Sequence, residues 1–281
     1  MKTLAKNTRV LVIFFSLLAV LSLSSPLALG QPAQEGLDSL EKKALAGDPD
    51  AQLRLGQNLI RTKDSAKNAQ GLQWIQKAAE QNLPEAQEEL ATIYFKGWPA
   101  PEDKALAFQW RLKAAEQGLA DAQYQLAYAY ENGLGAAKDP AQAFKWYLAA
   151  AEGEEFYYSP MIVAKAYKNG TGVAKNPAEA VKWWKILAER ERDVAFYYLG
   201  RAYQTGEGVP KDEAEAIKYF HQGIAIGSAL SLAALGEAYE KGLGVPVDLD
   251  KAAKCWKKAA DSYLSGEDRL AREKNPATAC D

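Results

Sequence analysis

Five tyrosines, Tyr94, Tyr130, Tyr167, Tyr203 and Tyr239, divide most of the chain into nearly equal lengths, with intervals of 36, 37, 36 and 36 residues. Gly97, Gly133, Gly170, Gly206 and Gly242 follow three residues behind and repeat the same intervals. Ala107, Ala143, Ala180, Ala216 and Ala252 keep step further on. An aromatic column, Trp74, Trp110, Trp146, Trp183 and Tyr219, starts one unit earlier and ends at Cys255. Columns that share even the single longer interval mark one repeated supersecondary unit. Such a unit cannot bury its apolar face alone, so the copies must stack.

Each unit reads as two helices. Counting from Ala122, Leu126, Ala127 and Tyr130 fall at offsets 4, 5 and 8. At about 100° per residue these lie on one face, which must be buried. The glycine that follows suits the left-handed position closing a helix, where a Cβ is penalised. Asp103, Asp139, Asn176, Asp212 and Asp248 form a capping column that can accept from the free N–H groups of the second helix. Pro140 and Pro177 occupy the next position, where no N–H is needed. Ser159-Pro160 reads as a further cap and first helical position. Short turns make consecutive helices antiparallel neighbours. The expected fold is all-α, a right-handed α-solenoid of about six helix-turn-helix repeats of ~36 residues. The expected organisation is a capping segment at 31–47, repeats at 48–261 and a polar tail at 262–281.

The opening 30 residues fall outside this scheme. Lys2, Lys6 and Arg9 precede the apolar run Val10 to Leu23, and Ala28-Leu29-Gly30 offers a small-residue cleavage site. A run of 14 apolar residues is short of the roughly 20 needed to span a bilayer. The reading is a signal peptide at 1–30, cleaved after Gly30, and a periplasmic or secreted mature chain. Removing its three cations takes 34 basic residues to 31 against 36 acidic, a formal charge of −5. An acidic chain of this kind is a poor match for nucleic acid phosphates. No basic amphipathic stretch remains to insert into a membrane after cleavage. Cys255 and Cys280 are the only cysteines. Either they bond in an oxidising compartment and fold the tail over the exposed end of the solenoid, or Cys255 is a buried thiol beside a frayed end.

Segments such as Leu134-Gly135 with Ala141-Gln142-Ala143-Phe144-Lys145-Trp146-Tyr147, and Gly206-Glu207-Gly208-Val209 with Asp212-Glu213-Ala214-Glu215-Ala216, resemble Sel-one-like repeats. These are 36-residue relatives of the tetratricopeptide repeat, and the similarity runs over about 48–261. The resemblance implies an adaptor or scaffold of the bacterial envelope, or an immunity protein that neutralises a secreted, periplasm-acting toxin. By the same resemblance, first helices line a concave groove. The helix face opposite the buried one then presents Tyr124, Tyr128, Glu131, Met161, Lys165, Lys168, Tyr197, Tyr198, Arg201 and Gln204, flanked by Glu88, Thr92 and Phe95 before them and Glu237 and Glu240 after. A stripe rich in tyrosine and basic at its centre suits a protein partner with an acidic surface.

Chemistry finds little footing. Glycine-rich turns recur once per unit, and none has the order of a phosphate-binding loop. His221 is the only histidine, which excludes a multi-histidine metal site and a Ser-His-Asp arrangement. Glu154-Glu155, or Glu189 with Glu191, are the carboxylate pairs a cell-envelope hydrolase would need. They read better as solvated turns, and the tryptophan column reads as core. The expectation is therefore a protein without catalytic residues, cofactor or metal.

Overall fold

The computed structural model describes residues 31–62, 64–153, 158–264 and 279–281. The leader, the carboxylate pair Glu154-Glu155 and most of the tail lie outside the described residues. Contacts divide the chain after Ser39. In the first unit, residues 31–39 are helical, the opening of α1 (Gln31–Leu45). The second unit, Leu40–Asp281, carries everything that follows.

Twelve further helices succeed α1 among the described residues. First helices of the repeats are α2 (Pro49–Ile60), α4 (Pro84–Lys96), α6 (Ala120–Asn132), α8 (Ser159–Asn169), α10 (Asp193–Thr205) and α12 (Ala229–Lys241). Their partners are α3 (Ser65–Glu80), α5 (Lys104–Glu116), α7 (Pro140–Glu152), α9 (Pro177–Glu189), α11 (Glu213–Ala225) and α13 (Leu249–Leu264). From α2 onward each helix packs on the next, so the fold is an all-α repeat solenoid.

Local chemistry sets the turn inside each repeat. Gly97, Gly133, Gly170, Gly206 and Gly242 close the first helices in the left-handed conformation. Asp103, Asp139, Asn176 and Asp212 then cap the second helices, each side chain accepting from a first-turn N–H. Asp248 does the same for Lys251 N–H at 2.9 Å. The backbone N–H of each capping residue also donates to the carbonyl of the repeated tyrosine nine positions earlier, as Asp139 to Tyr130 at 2.9 Å and Asn176 to Tyr167 at 2.8 Å. This bond ties the tyrosine and cap columns to one spacing and satisfies a carbonyl at the helix end.

A second turn glycine locks one repeat onto the one before. Gly135, Gly172, Gly208 and Gly244 all have positive φ, and a Cβ on any of them would run into the first-turn backbone of the preceding unit's second helix. Gly135 lies against Lys104 O and Gly172 against Pro140 O. No larger residue permits that approach, so these glycines set the stacking register.

One local expectation changes. The cap of α8 is Tyr158, whose side chain makes no capping bond, and Ser159 is already helical, with Pro160 one position further in. Ser159 is fully buried, and its hydroxyl has no partner among the described residues. The serine is thus turned into the packed interface instead of toward the free N–H groups of its own first turn.

Between units the core is built of paired small residues under large ones. Ala78-Ala79, Ala114-Ala115 and Ala150-Ala151 are buried and let neighbouring helices approach closely. In the fifth unit Gly223 takes the place of such an alanine, because a Cβ there would meet the Ser231 side chain.

Candidate protein-binding face

The face opposite the buried side of the first helices meets a second column, contributed by the second helices one residue after the tryptophans. It comprises Ile75, Arg111, Tyr147, Trp184, Phe220 and Trp256. The four at Ile75, Tyr147, Trp184 and Phe220 are buried, as is Arg111, while Trp256 in the last unit is 40% exposed. Small residues on the first helices make room for the larger members. A Cβ at Gly200 would collide with the Phe220 ring, and one at Gly236 would lie 2.8 Å from Trp256. This column was missed in the sequence because its chemistry changes at every step. Only its fixed place beside the tryptophans could have signalled it.

Each expected groove residue is placed by what this column offers. In the third unit Tyr124 meets Tyr147 edge to face, with ring centroids 5.5 Å apart. The Tyr147 hydroxyl donates to Glu131 Oε2 at 2.8 Å. Burial, then that bond to a carboxylate, pushes the Tyr147 phenol well above its ordinary value. Tyr128 stands beside them, 45% exposed. In the fourth unit Met161 is half-buried against the cluster containing Trp184. Lys165 and Lys168 are half-exposed and form no ion pair among the described residues. Tyr198 stacks on Trp184 with centroids 4.3 Å apart, and Lys168 Nζ sits 5.0 Å from the Tyr198 ring centre. Tyr197 lies edge to face against Tyr198 at 5.1 Å.

Arg201 and Gln204 differ from the simple expectation of free contacts. Arg201 Nη1 donates to Gln204 Oε1 and to Glu237 Oε2, both at 2.8 Å. Glu237 also holds Lys241 at 2.8 Å, and that bond leads the interactions keeping its carboxyl below the usual range. Arg201 and Glu237 occupy the same place in successive units, so stacking brings them opposite each other and offsets the charge. Gln204 is only 5% exposed, and its Nε2 finds no partner among the described residues. A single-helix projection places it on the open face, and the packed fold buries it.

At the other end of the stripe Glu88 is buried. It forms a bidentate pair with Arg111, through Nε at 3.1 Å and Nη2 at 2.8 Å, and also accepts from Thr92 Oγ1 at 3.3 Å. Burial raises the Glu88 carboxyl above its ordinary range, and Arg111 opposes that rise. The guanidinium lies 5.7 Å from the centre of Phe95. The column position filled by Tyr, Trp or Phe in the next three units is here an ion pair.

Crevices recur along the face among the described residues: a wide one of about 390 Å³ beside Tyr197, Glu237, Glu240 and Trp256, and two that repeat one unit apart. The smaller of these two, about 40 Å³, lies between α6, α7 and α8 and is lined by Glu131, Phe144, Tyr147 and Ile162 among others. The larger, about 190 Å³, is its counterpart one unit on, lined by Lys168, Val181, Trp184, Tyr198, Arg201 and Glu207 among others. Equivalent positions change from Glu131 to Lys168 at the rim and from Tyr147 to Trp184 in the wall.

Cys255 and Cys280 form a disulfide. Asp281 pairs with Lys251 at 2.6 Å, and Lys258 Nζ lies 3.5 Å from Ala279 O. Lys251, Cys255 and Lys258 share one face of α13, so the chain terminus lies along it. Ala279 and Cys280 are buried in the cluster that holds Ile217 and, at its margin, Tyr239. The expected covering of the solenoid's end depends on the tail before them, which lies outside the described residues.

Other candidates are not assembled into a site. His221 is half-buried, and Glu189 and Glu191 are exposed. Among the described residues no group of three or more His, Cys, Asp or Glu could hold a metal ion, and no helix is long and apolar enough to cross a membrane.

The chain matches the Sel1 repeat over residues 49–83, 84–119, 120–154, 162–191, 194–228 and 229–263. No curated protein matches it. Among solved structures it is similar to a protective antigen present in uropathogenic Escherichia coli strains that displays an SLR fold, at 30% identity and a TM-score of 0.65. That alignment covers 86% of this chain and 54% of the antigen, so the chain spans about half the antigen's length. It is also similar to a Sel1 repeat protein from Oxalobacter formigenes, at 31% identity and a TM-score of 0.59, covering 87% of this chain and 95% of that one. Six matched units, stacked as the glycine and cap columns require, make this chain a member of the Sel1 repeat family.

Proposed function

We propose that the chain is an exported adaptor that binds a protein partner on the face carrying Tyr124, Tyr128, Lys165, Lys168, Tyr197 and Tyr198. Sel1 repeats are protein-interaction scaffolds in general, and the finer assignment rests on this face. One observation carries it: partly exposed aromatic rings are held rigid by ring contacts around two adjacent crevices. Preordered aromatic groups with polar tips lose little entropy on binding and dominate interface energetics. The same residues offer no paired carboxylates or activated nucleophile, which favours recognition over turnover.

Export is supported by the charged and apolar pattern of 1–30 and by the Cys255–Cys280 disulfide, which persists in oxidising compartments. The test is capture from an envelope extract by the full chain and by a Tyr128→Ala/Lys165→Glu variant that retains its helical circular dichroism. Both substituted side chains are accessible, so the variant changes the surface and spares the core. A protein held by the parent and released by the variant supports the assignment. Equal retention by both moves the binding surface elsewhere.

A further inference from the structure

We infer that the occupant of this face is an extended polypeptide segment carrying a basic and an acidic side chain three residues apart, the acidic one seated in the crevice of Lys168, Trp184 and Tyr198. This rests on the reading of the face as a protein-binding surface and specifies the partner's chemistry. The two crevices are the same feature repeated. Glu131, Pro140, Ala143, Phe144, Tyr147 and Ile162 in the first occupy the unit positions of Lys168, Pro177, Ala180, Val181, Trp184 and Tyr198 in the second. Equivalent first-helix positions one unit apart are close enough for the long side chains of Arg201 and Glu237 to meet at 2.8 Å, a spacing on the order of 10 Å. An extended chain rises about 3.3 Å per residue, so every third side chain can address successive crevices.

The rims then select charge. Glu131 is exposed and among the described residues holds only the Tyr147 hydroxyl, which leaves carboxylate lone pairs for an incoming cation. Lys168 is held above the Tyr198 ring and forms no ion pair among the described residues, whereas Glu207 and Arg201 in the same lining are already paired, with Lys175 at 3.1 Å and Glu237 at 2.8 Å, so Lys168 is the charge left for an incoming group. At about 190 Å³ the second crevice admits a long side chain. Its methylenes would lie along the crevice wall beside Tyr198 while its carboxylate reaches Lys168. The first crevice, about 40 Å³, is too small for more than a methylene or two, so the basic head remains at its rim.

The experiment is selection of random twelve-residue peptides displayed on phage, on the full chain and on a Lys168→Glu variant of unchanged circular dichroism. The expected outcome on the parent is enrichment of sequences with Lys or Arg three positions from Asp or Glu. On the variant the acidic position should be lost or replaced by a basic one. The best parental peptide should lose about tenfold in affinity when its acidic residue becomes the amide, as expected for a charge-assisted hydrogen bond. Enriched peptides without this spacing, or the same sequences on both proteins, would overturn the inference while leaving the protein-binding face intact. Failure to enrich any peptide would overturn it too. Crosslinking of a partner at Tyr128 then decides separately whether the face binds folded protein.

Discussion

Arg111 is the residue whose removal should be felt most. Its guanidinium and the Glu88 carboxylate are both almost wholly buried, with 7% and 9% of their side chains exposed. Replacing Arg111 by methionine keeps the volume and strands a charge that water cannot reach. Breaking one partner of a buried pair destabilises by about 3–5 kcal/mol, and the loss should fall at the upper part of this range near pH 7. For a chain of this size each kcal/mol lowers Tm by about 2–4 °C, so the drop is roughly 6–20 °C. The sign with pH follows from Glu88, whose folded pKa lies above its unfolded value. Protonation therefore favours the folded state, and that stabilisation is lost as pH rises through the folded pKa. Without Arg111 the carboxyl is pushed higher still, so the variant's deficit should shrink as pH falls toward 4. Thermal melts by circular dichroism at pH 4.5 and 7.5 measure both effects. Adding Glu88→Leu removes the stranded charge and should restore most of the loss. A single variant within a couple of degrees of the parent, a deficit equal at both pH values, or an additive double variant would refute the reasoning.

Three further outcomes are expected. Gly200→Val drives a branched side chain into the Phe220 ring and should destabilise by about 1–3 kcal/mol, read as a lower denaturation midpoint; an unchanged midpoint would mean the helices simply separate. Cys280→Ser opens a disulfide spanning 25 residues and should lower stability by about 2–4 kcal/mol under non-reducing conditions, with no difference from the parent once both are reduced. Asp139→Ala removes the acceptor for Ala141 and Gln142 N–H and should cost about 1 kcal/mol, whereas Asp139→Asn should retain most of it.

What the sequence reveals here depends on whether a position serves its own unit or the next. Gly133 and Asp139 act within one turn, so their residue types announce their roles. The tyrosine column is legible as a buried face, but the bond from Asp139 N–H to Tyr130 O that fixes its spacing is a backbone event with no residue preference of its own. Gly135 is visible as a column, yet its reason is the carbonyl of Lys104 in the preceding unit. The inner column from Ile75 to Trp256 escapes detection because apolar, charged and aromatic groups substitute for one another there. Arg111 is tolerated only because Glu88 faces it. Arg201 and Glu237 are one period apart and could have been matched as a stacked pair from spacing alone. The burial of Gln204 is a property of the packed fold that a single-helix projection leaves out. For Cys255 and Cys280, sequence separation carries no information on whether the terminus returns to α13.

The assignment of the binding face is tested most directly by site-specific photocrosslinking in cells. A photoreactive phenylalanine analogue would replace Tyr128 on the aromatic face in one protein. In another it would replace Gln109, which is exposed on the side of α5 turned away from Arg111. The account predicts one discrete crosslinked species from position 128, carrying a second protein identifiable by mass spectrometry, and none from position 109. Crosslinks from position 109 with none from position 128 would contradict it.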